Sequence, residues 1–336
     1  MFRSIIAGYE GPDRGRHAVA FARVLADATG ASLLLVGAHP QQPLPLTASS
    51  RDEHDRTERA LRAVRDELAP NALVTAVGAL SPAHALCHLA ERRNADLVVV
   101  GSSHHGRADR LRRADHSLQV LHGAGPPVAV VPDARAVRDG LRRIVAGIDG
   151  SPESLDALRV AADLARAARA AVWIEVAVSD VVPAWPNGIG FAPPYAETGA
   201  PVGAREDAER LLRRALEDLD GVDADGRVVL GEPVKVLAAA TATADLLVVG
   251  SRRWGPVSRV LLGSTSEAVV RRSTGPVLVV PRGAGAGGAA GQRDRRSGGR
   301  DLTAAPDGGA PAAPSSSQDH TPATSSATGR SARSRW

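Results

Sequence analysis

The feature that most constrains the fold of this chain is an internal repeat. Three apolar segments of the first half recur, in the same order, in the second half. The paired segments are residues 4–11 and 143–150, residues 95–102 and 244–251, and residues 125–132 and 275–281. Similarity that recurs in the same order indicates two copies of one structural unit. Two copies of one domain account for most of the 336 residues.

Each copy alternates short apolar runs with amphipathic segments, which predicts alternating strands and helices. The strands are predicted at residues 4–8, 32–36, 73–77, 97–100 and 128–131, and again at 144–148, 171–177, 227–230, 246–249 and 277–280. Helices are predicted at residues 17–29, 52–68, 82–92 and around 117–121, then at 154–168, 204–219, 234–241 and from Ser264 onward. This alternation predicts an α/β fold of two tandem five-stranded parallel-sheet domains, each covered by helices on both faces.

The domain boundaries follow from the repeat and from changes in composition. We predict a first domain over residues 1–133, a short charged linker, and a second domain over residues 142–282. From residue 283 to 336 the chain is rich in Gly, Ala, Ser, Pro, Thr and Arg, with almost no large apolar side chains. Such a segment cannot bury enough surface to offset the entropy of ordering, so we predict a disordered tail.

Charge and composition exclude several classes of function. The formal net charge is +4, but the tail alone holds seven Arg and four Asp, so the domains are close to neutral. A large nucleic-acid surface would need a basic face, so nucleic acid is an unlikely partner by this criterion. Cys87 is the single cysteine, which excludes an intrachain disulfide. We find no apolar segment of signal-peptide or membrane-span length and therefore expect a cytoplasmic protein without a membrane partner.

The strongest candidate site lies in the second copy, at residues 244–270. A short apolar strand ends at Gly250, a loop follows, and Gly263-Ser264 introduces a new helix. Ser264 and Glu267 have the spacing of a capping box, with Ser264 as the predicted N-cap. Free backbone N–H groups at such a helix start can hold a phosphate. The alternative is that the glycines serve tight turns and that Ser264 only caps the helix.

These segments resemble the universal stress protein family in its tandem form, from Met1 to about Pro281. The shared marks are Asp149-Gly150-Ser151, the segment 244–251, the Leu-Leu-Gly-Ser run that ends at Ser264, and the segment 275–281. The resemblance implies a Rossmann-like α/β fold with strand order 3-2-1-4-5 in each domain. Some members bind ATP through a glycine loop of pattern G-x2-G-x9-G-[ST], and others do not. Members commonly dimerise through their last strands, and tandem members can do so within one chain.

The resemblance also implies an ATP site, with Mg²⁺, in the second copy. Asp149 matches the acidic residue that contacts ribose or base in ATP-binding members, and Val176 lies near the adenine-contacting position. One departure is Arg253, which stands at the second glycine of the pattern and could either block the site or replace lost backbone contacts with its guanidinium. The residues implied for nucleotide binding are Ile148, Asp149, Val176, Val249, Gly250, Arg253, Gly263, Ser264 and Thr265.

The first copy has lost more of this pattern. Gly101 remains, but His104 occupies the second glycine position and Ala114-Asp115 replaces the terminal Gly-Ser. Glu10 stands where the second copy has Asp149. An Asp115 carboxylate at the helix start would repel a phosphate, so we predict that the first copy does not bind ATP in the usual way. The basic residues nearby are either a solvated loop or an altered anion site.

The sequence favours a binding protein over an enzyme, because it contains no G-x-S-x-G elbow and no H-E-x-x-H pair. The leading hypothesis is an ATP-binding stress-response or signalling protein with its site in the second domain. The alternative is a nucleotide-independent scaffold for protein partners, an intrachain pseudo-dimer that could also form a homo-dimer. A third, weaker hypothesis is an enzyme that holds a small molecule under the insertion 179–201.

Overall fold

A computed structural model describes residues 1–40, 48–102, 116–132, 139–179, 203–251 and 263–283. Three predictions fall outside these residues: the disordered tail beyond 283, the insertion after Ser179, and most of the linker that begins at Asp133. Arg253 also lies outside them, together with His104, Ala114 and Asp115.

Strands and helices alternate along both halves, as the repeat predicts. The first half contains β1 (Ser4–Gly8), α1 (Pro12–Thr29), β2 (Ser32–Pro40), α2 (Ala48–Leu68), β3 (Leu73–Ala79), α3 (Pro82–Arg93), β4 (Leu97–Ser102), α4 (His116–Gly123) and β5 (Val128–Pro132). The second half contains β6 (Arg143–Gly147), α5 (Pro152–Ala168), β7 (Ala171–Val178), α6 (Ala204–Glu217), β8 (Ala224–Leu230), α7 (Pro233–Ala240), β9 (Leu246–Gly250), α8 (Ser264–Arg272) and β10 (Val277–Val280).

The strands form one continuous ten-stranded sheet in the order β3-β2-β1-β4-β5-β10-β9-β6-β7-β8. Each half has the expected order 3-2-1-4-5, and all pairs within a half are parallel. The halves join where β5 and β10 run antiparallel, with Ala129 opposite Leu278. The predicted α/β class and strand order are therefore confirmed, and the last strands of the two domains pair within the chain.

The buried side chains form one apolar cluster on each face of the sheet. Ile5 and Val248 belong to the face covered by α1 and α5, while the adjacent Ile6 and Val249 belong to the face covered by α3, α4, α7 and α8. Since both faces are covered, the central strands are continuous apolar runs rather than alternating ones. The first-domain helix α1 also packs against α5 of the second domain.

Helix α1 differs most from its prediction, because it begins at Pro12 rather than at residue 17. The missed turn contains Gly15, which has no side chain to contribute to an apolar pattern. The ring of Tyr9 lies so close that a Cβ on Gly15 would come within 2.3 Å of it. The predicted C-terminal residue is confirmed, since Gly30 ends α1 in the left-handed conformation at φ 69°.

Strand β8 begins at Ala224, three residues before its predicted start. The added residues include the exposed Asp225, because β8 is an edge strand with a partly solvated face. Among the described residues, no helix combines the length and apolar character needed to cross a membrane.

Candidate functional site

The candidate site lies where β6 and β9 end side by side. The two strands are parallel neighbours, with Gly147 opposite Val249. The chain leaves β6 into α5 on one face of the sheet, whereas α8, which follows β9, packs on the other face. Divergence of the two connections opens a crevice at the carboxyl edge of the sheet, the position where α/β folds bind ligands.

Helix α8 provides the backbone donors of this crevice, although its first turn differs from the prediction. The N-cap is Gly263, in extended conformation at φ −70° and ψ 152°, and Ser264 is already helical. Glu267 N–H donates to the Gly263 carbonyl at 3.0 Å, and the Glu267 carboxylate pairs with Arg271 one turn later. The predicted capping box is therefore wrong by one residue, because the chain enters helical geometry at Ser264.

The first turn of α8 is partly exposed. No side chain of the described residues caps it, and Ser264 and Thr265 are exposed. The backbone N–H groups of residues 264–266 precede the first helical hydrogen bond, so they have no acceptor within the helix. Ser266 is different, because it is buried and its hydroxyl donates to the Gly250 carbonyl at 2.8 Å. That bond ties the helix start to the end of β9.

Asp149 lies just beyond β6 and is held by the first turn of α5. Its Oδ1 accepts a hydrogen bond from Ser151 N–H at 2.9 Å and another from the Ser151 hydroxyl. Ser151 is itself the N-cap of α5 and accepts from Ser154 N–H. The Asp149 side chain is exposed, so it presents an oriented carboxylate at the edge of the crevice.

The apolar residues of the predicted set are buried in the core of the second domain. Ile148 and Val176 belong to the buried cluster on the α5 face, and Val249 belongs to the cluster on the opposite face. Val176 lies within β7, opposite Val228 of β8. The structure thus brings Asp149, Gly250, Gly263, Ser264 and Thr265 to one edge, with the three apolar residues beneath.

At the corresponding edge of the first domain, Glu10 contacts a histidine. Glu10, the counterpart of Asp149, lies 3.3 Å from Nδ1 of His116, the first residue of α4. This contact places the Glu10 carboxylate beside the side chain of the first described residue of α4. That the first domain lacks a usual ATP site stays a prediction, because His104, Ala114 and Asp115 lie outside the described residues.

Sequence analysis missed a group of charged side chains on the face of the second-domain sheet. Glu175 of β7 is only 2% exposed and pairs with Arg227 of β8 at 2.8 Å. Hydrogen bonds and charge from Glu175 raise the pKa of the Arg227 guanidinium above its ordinary value. Arg143 lies over the ring of Trp173, 4.7 Å from its centroid. The sequence signal that could have revealed this group is the presence of Trp173 and Glu175 in an otherwise aliphatic strand.

Curated relatives with similar sequences are universal stress proteins of mycobacteria. One from Mycolicibacterium smegmatis is 34% identical over 197 residues, covering 56% of this chain and 62% of its own length. One from Mycobacterium tuberculosis H37Rv is 33% identical over 191 residues, covering 55% and 61% respectively. The matched region thus spans about three fifths of each relative.

A solved structure and a family model agree with this result. A universal stress protein from Archaeoglobus fulgidus superposes with a TM-score of 0.61 at 19% identity, covering 83% of this chain and 96% of that one, which supports the fold. The model of the universal stress protein family matches twice, at residues 1–132 and 140–281. The chain therefore belongs to the universal stress protein family, as a tandem two-domain member.

Proposed function

We propose that this chain is a nucleotide-binding stress-response protein whose second domain binds ATP in the crevice between β6 and β9. The observation that carries the proposal is the first turn of α8, which no side chain of the described residues caps. Gly263 at its N-cap has no side chain, and the N–H groups of the exposed residues Ser264 and Thr265 lie at the positive end of the helix dipole. A triphosphate would accept hydrogen bonds there, with Mg²⁺ carried on the phosphate oxygens.

Asp149 would hold the sugar end of the nucleotide. Its carboxylate is fixed by Ser151 yet exposed at the same edge of the sheet, so one oxygen-rich group faces the crevice opposite the helix start. A carboxylate accepts hydrogen bonds from ribose hydroxyl groups, and it would repel a phosphate. The polarity of the crevice thus favours one orientation, with phosphates toward α8 and ribose toward α5.

We propose binding rather than catalysis as the role of this site. Asp149 is the carboxylate in the crevice, and its Oδ1 is committed to the Ser151 N–H and hydroxyl groups. A general base must accept the proton that it removes, and an Oδ1 that already accepts two hydrogen bonds is poorly suited to that role. Occupancy by ATP would then act as a signal, and slow hydrolysis would be incidental.

The second candidate function is a nucleotide-independent scaffold. It is favoured by the β5–β10 junction, which already gives the chain the arrangement of a dimer of single domains. In that case the crevice is a relic and the partners are proteins, including a second copy of this chain.

Isothermal titration calorimetry of the full chain with ATP and Mg²⁺ distinguishes the two functions. We expect one saturable site per chain in the wild type and loss of binding in Gly263→Asp. Aspartate is a good N-cap and φ at this position is negative, so the variant should fold while it places a negative charge at the phosphate position.

Gly263→Asn is the matched control, because asparagine caps a helix as well as aspartate but carries no charge. We expect Gly263→Asn to retain ATP binding. Absence of saturable binding in the wild type would favour the scaffold, and equal binding by both variants would place the nucleotide elsewhere.

A further inference from the structure

A half-open cavity of about 440 Å³ lies on the sheet face beside α7, outside the crevice. Its floor is aliphatic and includes Val145, Val229 and Val236. Arg143, Arg227 and Lys235 line it as well, together with the carboxylate of Glu175. The volume falls within the range of small-molecule sites, which combine an apolar lining with a few charged groups.

Two of the three cations already have carboxylate partners. Arg227 binds Glu175 through Nε at 3.1 Å and through a terminal nitrogen at 2.8 Å. Lys235 pairs with Glu232 at 3.0 Å. These pairs fix the positions of two positive groups at the cavity wall without leaving a net charge on either.

Arg143 is the cation without a partner in the part of the chain that the structure describes. Its Nε is buried and has no hydrogen-bond acceptor, and no carboxylate of the described residues forms an ion pair with its guanidinium. The ring of Trp173 supports it from one side at 4.7 Å. A buried donor without an acceptor is costly, so an oxyanion that enters the cavity would satisfy a group that the protein leaves unsatisfied.

The first domain provides an internal comparison. In register with Arg143, Trp173, Glu175 and Arg227, it has Ser4, Leu34, Val36 and Thr75. The covering helix also differs, since α3 has 12 residues and α7 only 8. The first domain thus has the same fold without these charges and with a longer covering helix. The charged cavity is therefore not a requirement of the fold.

We propose that this cavity is a second binding site, for a small organic anion with an oxyanion head on Arg143 and an apolar body on the valines. It is separate from the crevice, because Arg143 begins β6 and Asp149 follows its end. Six residues of extended strand place these two residues about 20 Å apart.

Calorimetry on the full chain with phenyl phosphate tests the proposal, with benzyl alcohol and inorganic phosphate as partial probes. We expect saturable binding of phenyl phosphate at millimolar concentrations, weaker binding of inorganic phosphate, and none of benzyl alcohol. Arg143→Gln should lower the affinity for phenyl phosphate about tenfold or more, because a charge-assisted hydrogen bond is lost.

Arg142→Gln is the matched control, since Arg142 is the exposed neighbour of Arg143 in the chain and does not line the cavity. It should bind as the wild type does. Ala239→Leu, which fills the cavity without changing its charge, should also abolish binding, whereas Gly263→Asp in the crevice should not alter it. Thermal unfolding verifies that each variant is folded.

Three results would overturn the proposal: no saturable binding of phenyl phosphate by the wild type, equal affinity in the Arg143→Gln and Arg142→Gln variants, or loss of binding in Gly263→Asp. The last result would assign the probe to the nucleotide crevice.

Discussion

Gly250 lies directly against the backbone of Glu153. A Cβ on Gly250 would come within 2.7 Å of the Glu153 carbonyl carbon and oxygen. The glycine at the end of β9 is therefore required by the packing of the strand on the first turn of α5, whether or not a phosphate is bound. A glycine at position 250 could be explained by packing or by the close approach of a ligand, and this contact shows that packing alone is sufficient.

Gly250→Ala should lower the free energy of unfolding by about 1–3 kcal/mol, because rigid backbone atoms must move to admit the methyl group. Urea denaturation measures this change. Ser251→Ala, at the next position, should stay within about 0.5 kcal/mol of the wild type. A fully stable Gly250→Ala variant would show that the close contact is relieved at little cost.

The Glu175–Arg227 pair allows a test by exchange between the two domains. Arg227→Thr should lower the free energy of unfolding by about 1–3 kcal/mol, because it leaves the Glu175 carboxylate buried without its partner. The double variant Glu175→Val, Arg227→Thr installs the pair found in register in the first domain, Val36 and Thr75. It should recover most of the loss, since apolar replacement of a buried ion pair is often neutral. A double variant less stable than Arg227→Thr would contradict this account.

Much of the fold was predictable because burial on both faces leaves a local signal. Val128–Pro132 and Leu246–Gly250 are apolar runs between turns, and the repeat identified the equivalent strand of the other domain for each. The missed features depend on contacts distant in sequence. The first turn of α1 is covered by Tyr9, and the N-cap of α8 depends on where the incoming chain becomes helical.

The candidate site was predictable only in part, for the same reason. Asp149 and Gly263 follow strands whose ends meet at one edge, so their proximity follows from the strand order. Arg143, Glu175 and Arg227 come from three strands, and only the register places them around one cavity. No short motif marks such a group.

The junction between the domains predicts a pattern of hydrogen exchange. Amides of β5 and β10 should exchange as slowly as those of the central strands, because each strand has neighbours on both sides. The edge strands β3 and β8 provide the control, since their outward-facing amides have no strand partner among the described residues and should exchange faster. Rapid exchange along one side of β5 would mean that the junction opens in solution.

Glu232 predicts a small pH dependence of stability. A hydrogen bond from Lys235 lowers its pKa below the ordinary value of 4.5, with further contributions from the charges of Lys235 and Arg272. A lowered pKa stabilises the folded state above the unfolded pKa, and the benefit disappears as the pH falls through the folded value.

Urea midpoints of wild type and Glu232→Gln should therefore differ at neutral pH and converge in acid, once the pH is below the lowered pKa of Glu232. Glu217→Gln, at an exposed glutamate for which no ion pair occurs among the described residues, should show no such convergence. A difference between wild type and Glu232→Gln that persists in acid would rule out the ion pairs as its source.

A crystal structure of the full chain grown with ATP and Mg²⁺ tests the claim that the second-domain crevice holds a triphosphate. We predict phosphate oxygens within hydrogen-bond distance of the backbone nitrogens of Ser264 and Thr265, with the ribose toward Asp149. An empty crevice at millimolar ATP, or a nucleotide bound only at another position, would contradict the claim.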